Sequence, residues 1–184
     1  MPADAPAAQP SPLRLHLGGW QRKEGWTIVD VEQRPEVDVV GSCTDLSRFG
    51  DASADEVYAS HVYEHLDYND ELTAALTEAR RVLRPGGLLK IGVPDLEVLG
   101  RLIAAPGLTL QERFEVQRMI YGGQKTPFDY HKSGYTFDLL RALLEDCGFA
   151  QVKRVKSFGL FSDTTEQKFK GMPISLNVVA TRPG

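Results

Sequence analysis

The segment RRVLRPGGLLKIGVPD, residues 80–95, is the strongest indication of the fold class. Within it, the tetrapeptide Arg84 to Gly87 combines a proline with two glycines, which predicts a tight turn. The following run, Leu88 to Val93, is mostly apolar on both faces, as in a parallel strand that is covered on each side. Apolar residues at helical spacing precede the turn, from Leu72 to Leu83. Helix, turn and buried strand in this order predict an α/β fold.

Similar patterns extend in both directions from this segment. Further strands are predicted at residues 13–17, 26–31, 37–40, 56–60, 152–157 and 175–181. Further helices are predicted at residues 95–103, 110–121 and 137–147, with Thr136 and Gly148 bounding the last one. Asn69 or Asp70 is expected to cap the helix that starts near Leu72. Alternation of strands and helices predicts a mostly parallel sheet, and only the loop 158–173 separates the last two strands, which are predicted to be antiparallel.

Length and composition predict a single globular domain. At 184 residues, with 42% hydrophobic and 25% charged residues, the chain can bury one core of ordinary size. We assign this domain to residues 13–184. Residues 1–12 are rich in Ala and Pro and lack the pattern of a signal peptide, so we expect them to form a disordered arm.

Charge and cysteine content limit the partners and the compartment. The net charge of −4 gives no basic footprint, so nucleic acid is not favoured as a partner. No apolar run approaches the roughly 20 residues that cross a bilayer, so no membrane partner is expected. Cys43 and Cys147 lie far apart in the sequence and predict no disulfide framework, which favours a reducing, cytoplasmic compartment.

The candidate site lies where the predicted strands end. In open α/β sheets, ligands bind outside the carboxyl ends of the strands, near the point where the strand order reverses. The first strand ends at Gly18 and Gly19, which allow the backbone to approach a ligand closely. The second ends at Asp30, whose carboxylate can accept hydrogen bonds from both ribose hydroxyls. The third and fourth end at residues 42–43 and 60–61.

Two motifs carry a family resemblance. DEVYASHVYEHL, residues 55–66, is similar to a region usually written FDxVxxxxVLEH, and RRVLRPGG, residues 80–87, is similar to a turn written RVLKPGG. At this spacing the pair resembles the class I S-adenosylmethionine-dependent methyltransferases, and the tail resembles a small bacterial branch of that family. The resemblance implies a Rossmann-like α/β fold: a mostly parallel sheet with a reversed strand near the C-terminal edge and helices on both faces.

The resemblance also implies cofactor contacts by position. The two glycines would face the methionine part of S-adenosylmethionine, Asp30 would bind the ribose, residues 42–43 would lie near the adenine, and residues 60–61 would lie near the sulfonium and the acceptor. The implied cofactor-binding set is Gly18, Gly19, Trp20, Asp30, Val31, Ser42, Cys43, Ser60 and His61.

The sequence departs from the family pattern in three places. Trp20 stands where the family usually has the second glycine of a G-x-G turn. The crossover from Trp20 to Gly25 is too short for a full helix, so a turn or a single helical turn is expected there. Ser42 stands where an acid often accepts a hydrogen bond from the adenine amino group; its hydroxyl can accept that bond, but without charge assistance.

Three side chains are candidates for taking a proton from the acceptor: His61, His131 and Asp95. The unperturbed pKa of histidine lies near neutrality, as a general base requires. His131 lies in a long polar segment and is equally well explained as a loop histidine bonded to the backbone. Asp95 directly follows the fifth strand and is equally well explained as the N-cap of the next helix.

A metal site is an alternative interpretation of residues 61–65. His61, Glu64 and His65 spell H-x-x-E-H, the inverted zincin signature, in which two histidines ligate zinc and the glutamate acts on a water. That motif needs both histidines on one face of a helix, whereas His61 directly follows a predicted strand. The methyltransferase pattern accounts for Glu64 and His65 without an ion, so no metal site is predicted.

The sequence predicts an enzyme that transfers a methyl group from S-adenosylmethionine to an oxygen or nitrogen of a small-molecule acceptor. The branch resemblance associates that acceptor with sugars and glycan precursors. The alternative is a non-catalytic protein of the same fold that binds or regulates a partner, motivated by Trp20 and Ser42. A dehydrogenase is disfavoured because residues 18–21 cannot be written as G-x-G-x-x-G. Assembly as a homodimer is left open.

Overall fold

A computed structural model describes residues 13–184, so the arm predicted at residues 1–12 lies outside it. The strands are β1 Leu13–Leu17, β2 Thr27–Asp30, β3 Val39–Val40, β4 Ala54–Ser60, β5 Leu83–Pro94, β6 Ala150–Val155, β7 Lys168–Phe169, β8 Met172–Pro173 and β9 Ser175–Thr181. The helices are α1 Glu71–Val82, α2 Leu96–Ala104, α3 Leu110–Tyr121 and α4 Phe137–Asp146, with 3₁₀ turns at Tyr63–His65 and Thr164–Glu166.

Seven strands form one sheet in the order β3-β2-β1-β4-β5-β9-β6. The pairs among β1 to β5 are parallel, whereas β9 is antiparallel to both β5 and β6. The predicted Rossmann-like fold, with its mostly parallel sheet and one reversed strand near the C-terminal edge, is therefore confirmed. β7 and β8 form a separate ribbon within the loop that joins β6 to β9.

Helices α1 and α4 share the main apolar core with the sheet. The α1 side chains recur at helical spacing, and full burial of each large apolar side chain contributes about 1.5 to 3 kcal/mol. The core residues of these helices are Leu72, Ala75, Leu76, Ala79, Val82, Leu140 and Leu144. Asp70 stands at the N-cap position of α1, as predicted, but its side chain makes no capping hydrogen bond. Asp67 Oδ1 instead accepts the backbone N–H groups of residues 69–71 at 3.0 to 3.3 Å.

Aromatic side chains cover the opposite face of β1 and β4. His16 and Tyr58 alternate with core residues along their strands, so they project to this face. Trp26 and Phe161 pack beside them, with the Phe161 ring centroid 4.2 Å from that of His16 and 5.2 Å from that of Tyr58. The Tyr58 hydroxyl donates to Asp163 Oδ2 at 2.7 Å and fastens the loop that carries Phe161.

Two connections shape the site end of the sheet. Residues 18–26, between β1 and β2, form turns without a helix, as their length predicts. The predicted turn Arg84 to Gly87 bulges out of β5, because the register jumps from Ala54 opposite Leu83 to Glu56 opposite Leu88. Within residues 13–184, no helix has both the length and the apolar character needed to cross a bilayer.

Candidate cofactor and acceptor site

The carboxyl ends of β1, β2 and β4 lie side by side. Leu17 of β1 pairs with Val29 of β2 on one side and with Ala59 of β4 on the other. Because β2 and β4 flank β1, the strand order reverses here, which is where open α/β sheets bind ligands. The next residues along the three strands form what we call the strand-end row: Gly18, Asp30 and Ser60.

Contacts within the protein explain both glycines of the first strand end. Gly18 has a φ of +67°, and a Cβ there would lie 2.5 Å from Val62 Cγ2. Its backbone N–H donates to Val29 O at 2.8 Å. A Cβ on Gly19 would lie 2.7 Å from His16 Nδ1. The tight turn therefore needs glycine at both positions, and their contact with a cofactor stays a prediction.

Arg34 occupies the edge where the ribose is expected. Its Nη2 lies 2.9 Å from Asp30 Oδ2 and 2.9 Å from Gly19 O, and its Nε lies 2.9 Å from Glu36 Oε1. The other Asp30 oxygen, Oδ1, accepts the backbone N–H of Glu32 at 2.8 Å. Burial opposes the charge of Arg34, but its hydrogen bonds to the two carboxylates outweigh burial and raise its pKa. The Asp30 carboxylate thus already has partners on both oxygens.

Trp20 covers the outer side of this arginine. The guanidinium carbon of Arg34 lies 3.9 Å from the centroid of a Trp20 ring, a cation–π contact, while Trp20 is 71% exposed. Val31, which follows Asp30, is also exposed. Arg34 was missed by sequence reasoning, and the one signal available was a cation four residues after the strand-end acid.

The predicted adenine side consists of a small cavity next to the end of β3. The cavity has a volume of about 100 Å³, and Val29, Gly41, Ser42 and Phe49 are among its lining residues. The Ser42 hydroxyl lies 2.7 Å from Thr44 Oγ1 and accepts the Thr44 backbone N–H. A larger, shallow groove of about 800 Å³ beside α1 borders none of the strand-end row.

The Cys43 side chain lies on the core side of the chain. Its side chain is buried in the main apolar core and is not among the residues that line the small cavity. Burial raises the pKa of the Cys43 thiol to about 11. The Cys43 thiol is therefore a core group, and the position of residue 43 near the adenine stays a prediction.

His61 turns sharply away from the end of β4. It has a φ of +54°, and its backbone N–H donates to Gly92 O at 2.7 Å. The ring is held from both sides: Nε2 lies 2.9 Å from Ser175 Oγ, and Nδ1 lies 3.0 Å from Glu64 Oε1. Ser60 and His61 thus connect the strand-end row to a histidine cluster around Glu64.

His131 joins the same cluster from a distant loop. The backbone N–H groups of Lys132 and Ser133 donate to Glu64 O at 2.8 and 3.1 Å, and this brings His131 Nε2 to 4.0 Å from Glu64 Oε1. Burial is the main cause of a lowered pKa for His131, against the opposing pull of the Glu64 charge. Burial would raise the pKa of Glu64, but charge attraction to His61 and the other histidines outweighs it and lowers that pKa.

Asp95 is occupied with structural contacts. Its Oδ1 accepts the backbone N–H groups of Glu97 and Val98 at 3.1 and 3.2 Å, which makes it the N-cap of α2. Its Oδ2 pairs with Arg154, and the residue is 1% exposed. Of the three candidates for a proton acceptor, the structure thus brings His61 and His131 together and gives Asp95 the role of a cap.

Comparisons with known proteins agree with this arrangement. Residues 23–91 match the family described as a methyltransferase domain. This part of the chain is similar to a methyltransferase domain. The match begins after the turn at Gly18 and Gly19, so it depends on the middle of the sheet and not on the glycines. A search of curated protein sequences finds no significant match.

Solved structures share the fold over nearly the whole chain. The domain is similar to the CurJ carbon methyltransferase, with a TM-score of 0.59 and 14% identity over 97% of this chain and 50% of that one, so it spans half the length of that protein. It is similar to the Burkholderia thailandensis 1,6-didemethyltoxoflavin-N1-methyltransferase, solved with S-adenosylhomocysteine, with a TM-score of 0.60 and 18% identity over 94% and 72% of the chains. It is also similar to an Archaeoglobus fulgidus methyltransferase, with a TM-score of 0.58 and 17% identity over 94% and 86%.

The matched region and the shared fold agree with the resemblance to class I S-adenosylmethionine-dependent methyltransferases, one of which was solved with S-adenosylhomocysteine. The residues present fit the adenosine part of S-adenosylmethionine in type and order. A carboxylate ends β2, a hydroxyl follows β3, and a Cβ on Gly41 would meet nothing within 4 Å, so the end of β3 is open. The main adjustment is at Asp30, where a ribose would compete with Arg34.

Proposed function

We propose that this methyltransferase domain holds S-adenosylmethionine along the strand-end row and methylates an oxygen or nitrogen of a small-molecule acceptor, with sugars and glycan precursors as the acceptor class. The observation that carries this proposal is the in-register placement of Gly18, Asp30 and Ser60 at the reversal of strand order. The similar structures include a carbon methyltransferase and an N1-methyltransferase, so this fold accommodates more than one acceptor atom.

The residues of the row have distinct binding tasks in this proposal. Asp30 accepts hydrogen bonds from the ribose hydroxyls after Arg34 gives up its place on Oδ2. Ser42 accepts a hydrogen bond from the adenine amino group in place of Thr44. Ser60 and the backbone of the Gly18–Gly19 turn border the methionine part. S-adenosylmethionine supplies an electrophilic methyl group on a positively charged sulfur.

The histidine cluster handles the proton of the acceptor. His61 and His131 both lie beside the Glu64 carboxylate, whose charge stabilises an imidazolium once a ring has taken a proton. His61 directly follows Ser60, so the cluster is adjacent to the row. A neutral acceptor hydroxyl or amine is therefore deprotonated on the β4 side of the site as the methyl group is transferred.

Calorimetry with S-adenosylhomocysteine tests cofactor binding directly. We expect saturable binding to the full chain, weakened about tenfold or more in Asp30→Asn, because an amide accepts ribose hydroxyl groups less strongly than a carboxylate does. Asp51→Asn is the matched control, since Asp51 is a largely exposed acid paired with Arg81 away from the row. Lack of binding of both S-adenosylmethionine and S-adenosylhomocysteine at millimolar concentration would refute the proposal.

One observation favours a non-catalytic binding or regulatory protein of the same fold. Arg34 bridges Gly19 and Asp30 and stacks on Trp20, so the protein fills part of the ribose edge with its own side chains. S-adenosylhomocysteine that binds normally, without methyl transfer to any of a panel of sugars, amines and phenols, would favour that alternative.

A further inference from the structure

Glu64 is a fully buried carboxylate without hydrogen-bond partners among residues 13–184. It lies in the 3₁₀ turn Tyr63–His65 and is 0% exposed. Neither carboxylate oxygen accepts a hydrogen bond from a described donor, and the close approach of His61 Nδ1 to Oε1 is not aligned as one. A buried carboxylate is strongly unfavourable unless a cation or hydrogen-bond donors compensate for the lost water. Glu64 therefore needs a positive partner.

Two neighbouring histidines have the tautomer that metal ligands adopt. His65 Nδ1 lies 3.1 Å from Tyr130 O, and His131 Nδ1 lies 3.2 Å from Ile120 O. A carbonyl oxygen only accepts, so each Nδ1 carries the proton and donates it, and in a neutral ring Nε2 keeps a free lone pair. Metal-binding histidines are commonly oriented in this way, with the second ring N–H donated to a backbone carbonyl.

His61 adds a third ring with a constrained tautomer. The Ser175 hydroxyl donates its only proton to Thr164 O at 2.9 Å, so it can only accept from His61 Nε2. In the neutral ring, Nδ1 then has no proton to donate to Glu64 Oε1, which lies 3.0 Å away. The neutral His61 ring therefore does not compensate the charge of the buried Glu64 carboxylate.

The ligand atoms are close enough to share one ion. One such atom from each of Glu64, His65 and His131 lies within 4.8 Å of the other two. Bonds of about 2.0 to 2.2 Å to a common ion hold ligand atoms about 3.3 Å apart, so the ligand atoms must approach one another by up to about 1.5 Å. His65 and His131 both keep some solvent exposure, 11% for the His131 side chain, so small shifts of the two side chains can supply this movement.

The backbone prearranges the cluster. Glu64 O accepts two backbone N–H groups from residues 132–133, which fixes the loop against the 3₁₀ turn. At the start of that loop, Gly122 has a φ of +84°, and a Cβ there would lie 2.3 Å from Asp129 O. The loop is therefore tightly folded around His131. Backbone hydrogen bonds, and not side-chain contacts alone, hold Glu64, His65 and His131 together.

We propose that Glu64, His65 and His131 bind a divalent transition-metal ion, with the His61 ring packed beside the Glu64 carboxylate. Two imidazoles and one carboxylate suit zinc or ferrous iron better than magnesium or calcium, which prefer oxygen ligands. This set differs from the H-x-x-E-H arrangement, in which His61 and His65 would be the ligands and Glu64 would act on a water. Three protein ligands leave a coordination position for water or an acceptor oxygen.

Zinc and cobalt binding to the full chain test this site. After removal of metal with a chelator, we expect stoichiometric binding of Zn²⁺ alone in calorimetry and visible absorption bands with Co²⁺. Glu64→Gln, His65→Asn and His131→Asn should each weaken Zn²⁺ binding by about 10-fold to 100-fold or more. His16→Leu and Glu145→Gln are the controls, because His16 lies in the aromatic cluster and Glu145 pairs with Arg141 on the surface; both should bind as the wild type does.

The wild-type chain alone also tests the metal site, so the test does not depend on whether the variants fold. Absorption spectroscopy at the zinc edge should show about two imidazole ligands in the loaded protein. Absence of stoichiometric Zn²⁺ binding by the wild type, or binding that Glu64→Gln and His131→Asn leave intact, would overturn the site. A bound ion would replace His131 as the group that handles the acceptor proton, so this site modifies the proposed function. Its failure is distinguishable from failure of that function, because binding of S-adenosylhomocysteine is measured separately on chelator-treated protein.

Discussion

Arg34 Nη2 stands 2.9 Å from Asp30 Oδ2, so the acid expected to hold the ribose already has a cationic partner. Both side chains are mostly shielded, with 13% and 9% of their surfaces exposed, and the pair is also tied to Gly19 O. In the ligand-free protein, Arg34 therefore occupies the position on Asp30 where the ribose is expected to bind. A nucleoside that binds here must exchange one charged hydrogen bond of Asp30 for hydroxyl contacts.

Arg34→Met removes that competition while keeping an unbranched side chain against Trp20. We expect the affinity for S-adenosylhomocysteine to rise about fivefold, since loss of a competing charged hydrogen bond of roughly 1 kcal/mol favours the ligand. Calorimetry of the variant and the wild type measures this change, with Arg22→Met, an exposed arginine paired to Asp38, as the control. Weaker binding by Arg34→Met would show instead that Arg34 holds the ligand.

The buried ring of His16 makes stability depend on pH. Burial lowers its pKa from 6.5 to about 4, against the opposing pull of Asp163 and Asp30. The unfolded chain therefore takes up a proton at a higher pH than the folded chain, so this contribution to stability is complete above pH 6.5 and is lost as the pH falls toward 4. The shift corresponds to about 3 kcal/mol.

Urea unfolding at several pH values between 4 and 7.5 checks this dependence. The free energy of unfolding should decrease on acidification by up to that amount, and His16→Leu should flatten the profile because the titrating group is gone. Equal pH slopes for the wild type and His16→Leu would exclude His16 as the cause.

Asp95 should matter for stability through its cap. Asp95→Ala removes the acceptor for two N–H groups of α2 and should lower the free energy of unfolding by about 1 to 2 kcal/mol. Asp95→Asn keeps a good N-cap and loses only the pair with Arg154, a side chain that is 46% exposed, so it should cost much less. Denaturant unfolding of both variants measures these changes. Similar decreases in the free energy of unfolding would mean that the charge of Asp95, and not its cap, makes the main contribution.

The Cys43 thiol should be unreactive in the folded protein. With a pKa of about 11, only about 0.1% of it is thiolate at pH 8, and its atoms are buried. Thiol reagents should modify it at a rate set by unfolding, and Cys43→Ala should leave the affinity for S-adenosylhomocysteine within about twofold. Rapid modification that the ligand prevents would place Cys43 in the cofactor site after all.

Strand positions were predictable because burial on both faces leaves a strong local signal. The runs that became β1 and β9 match the predicted bounds, and the row of Gly18, Asp30 and Ser60 follows from the rule that ligands meet parallel strands at their carboxyl ends. The short crossover after Trp20 was predictable from its length alone.

Contacts between side chains of loops were not predictable. The spacing of four residues between Asp30 and Arg34 allows their contact but does not require it, and nothing local indicates that Phe161 closes an aromatic cluster over His16. The approach of His131 to Glu64 depends on backbone hydrogen bonds between a loop and a 3₁₀ turn far apart in the sequence. The sequence indicated two roles for Asp95, proton acceptor and N-cap. Only the geometry of the α2 N-terminus distinguishes between these roles.

A crystal structure of the full chain with S-adenosylhomocysteine tests the account most directly. The account predicts a ribose whose hydroxyls donate to the Asp30 carboxylate, with Arg34 displaced from Oδ2 and the sulfur next to Ser60 and His61. A nucleoside bound elsewhere, or one that leaves the Arg34–Asp30 pair intact and makes no contact with Asp30, would contradict it.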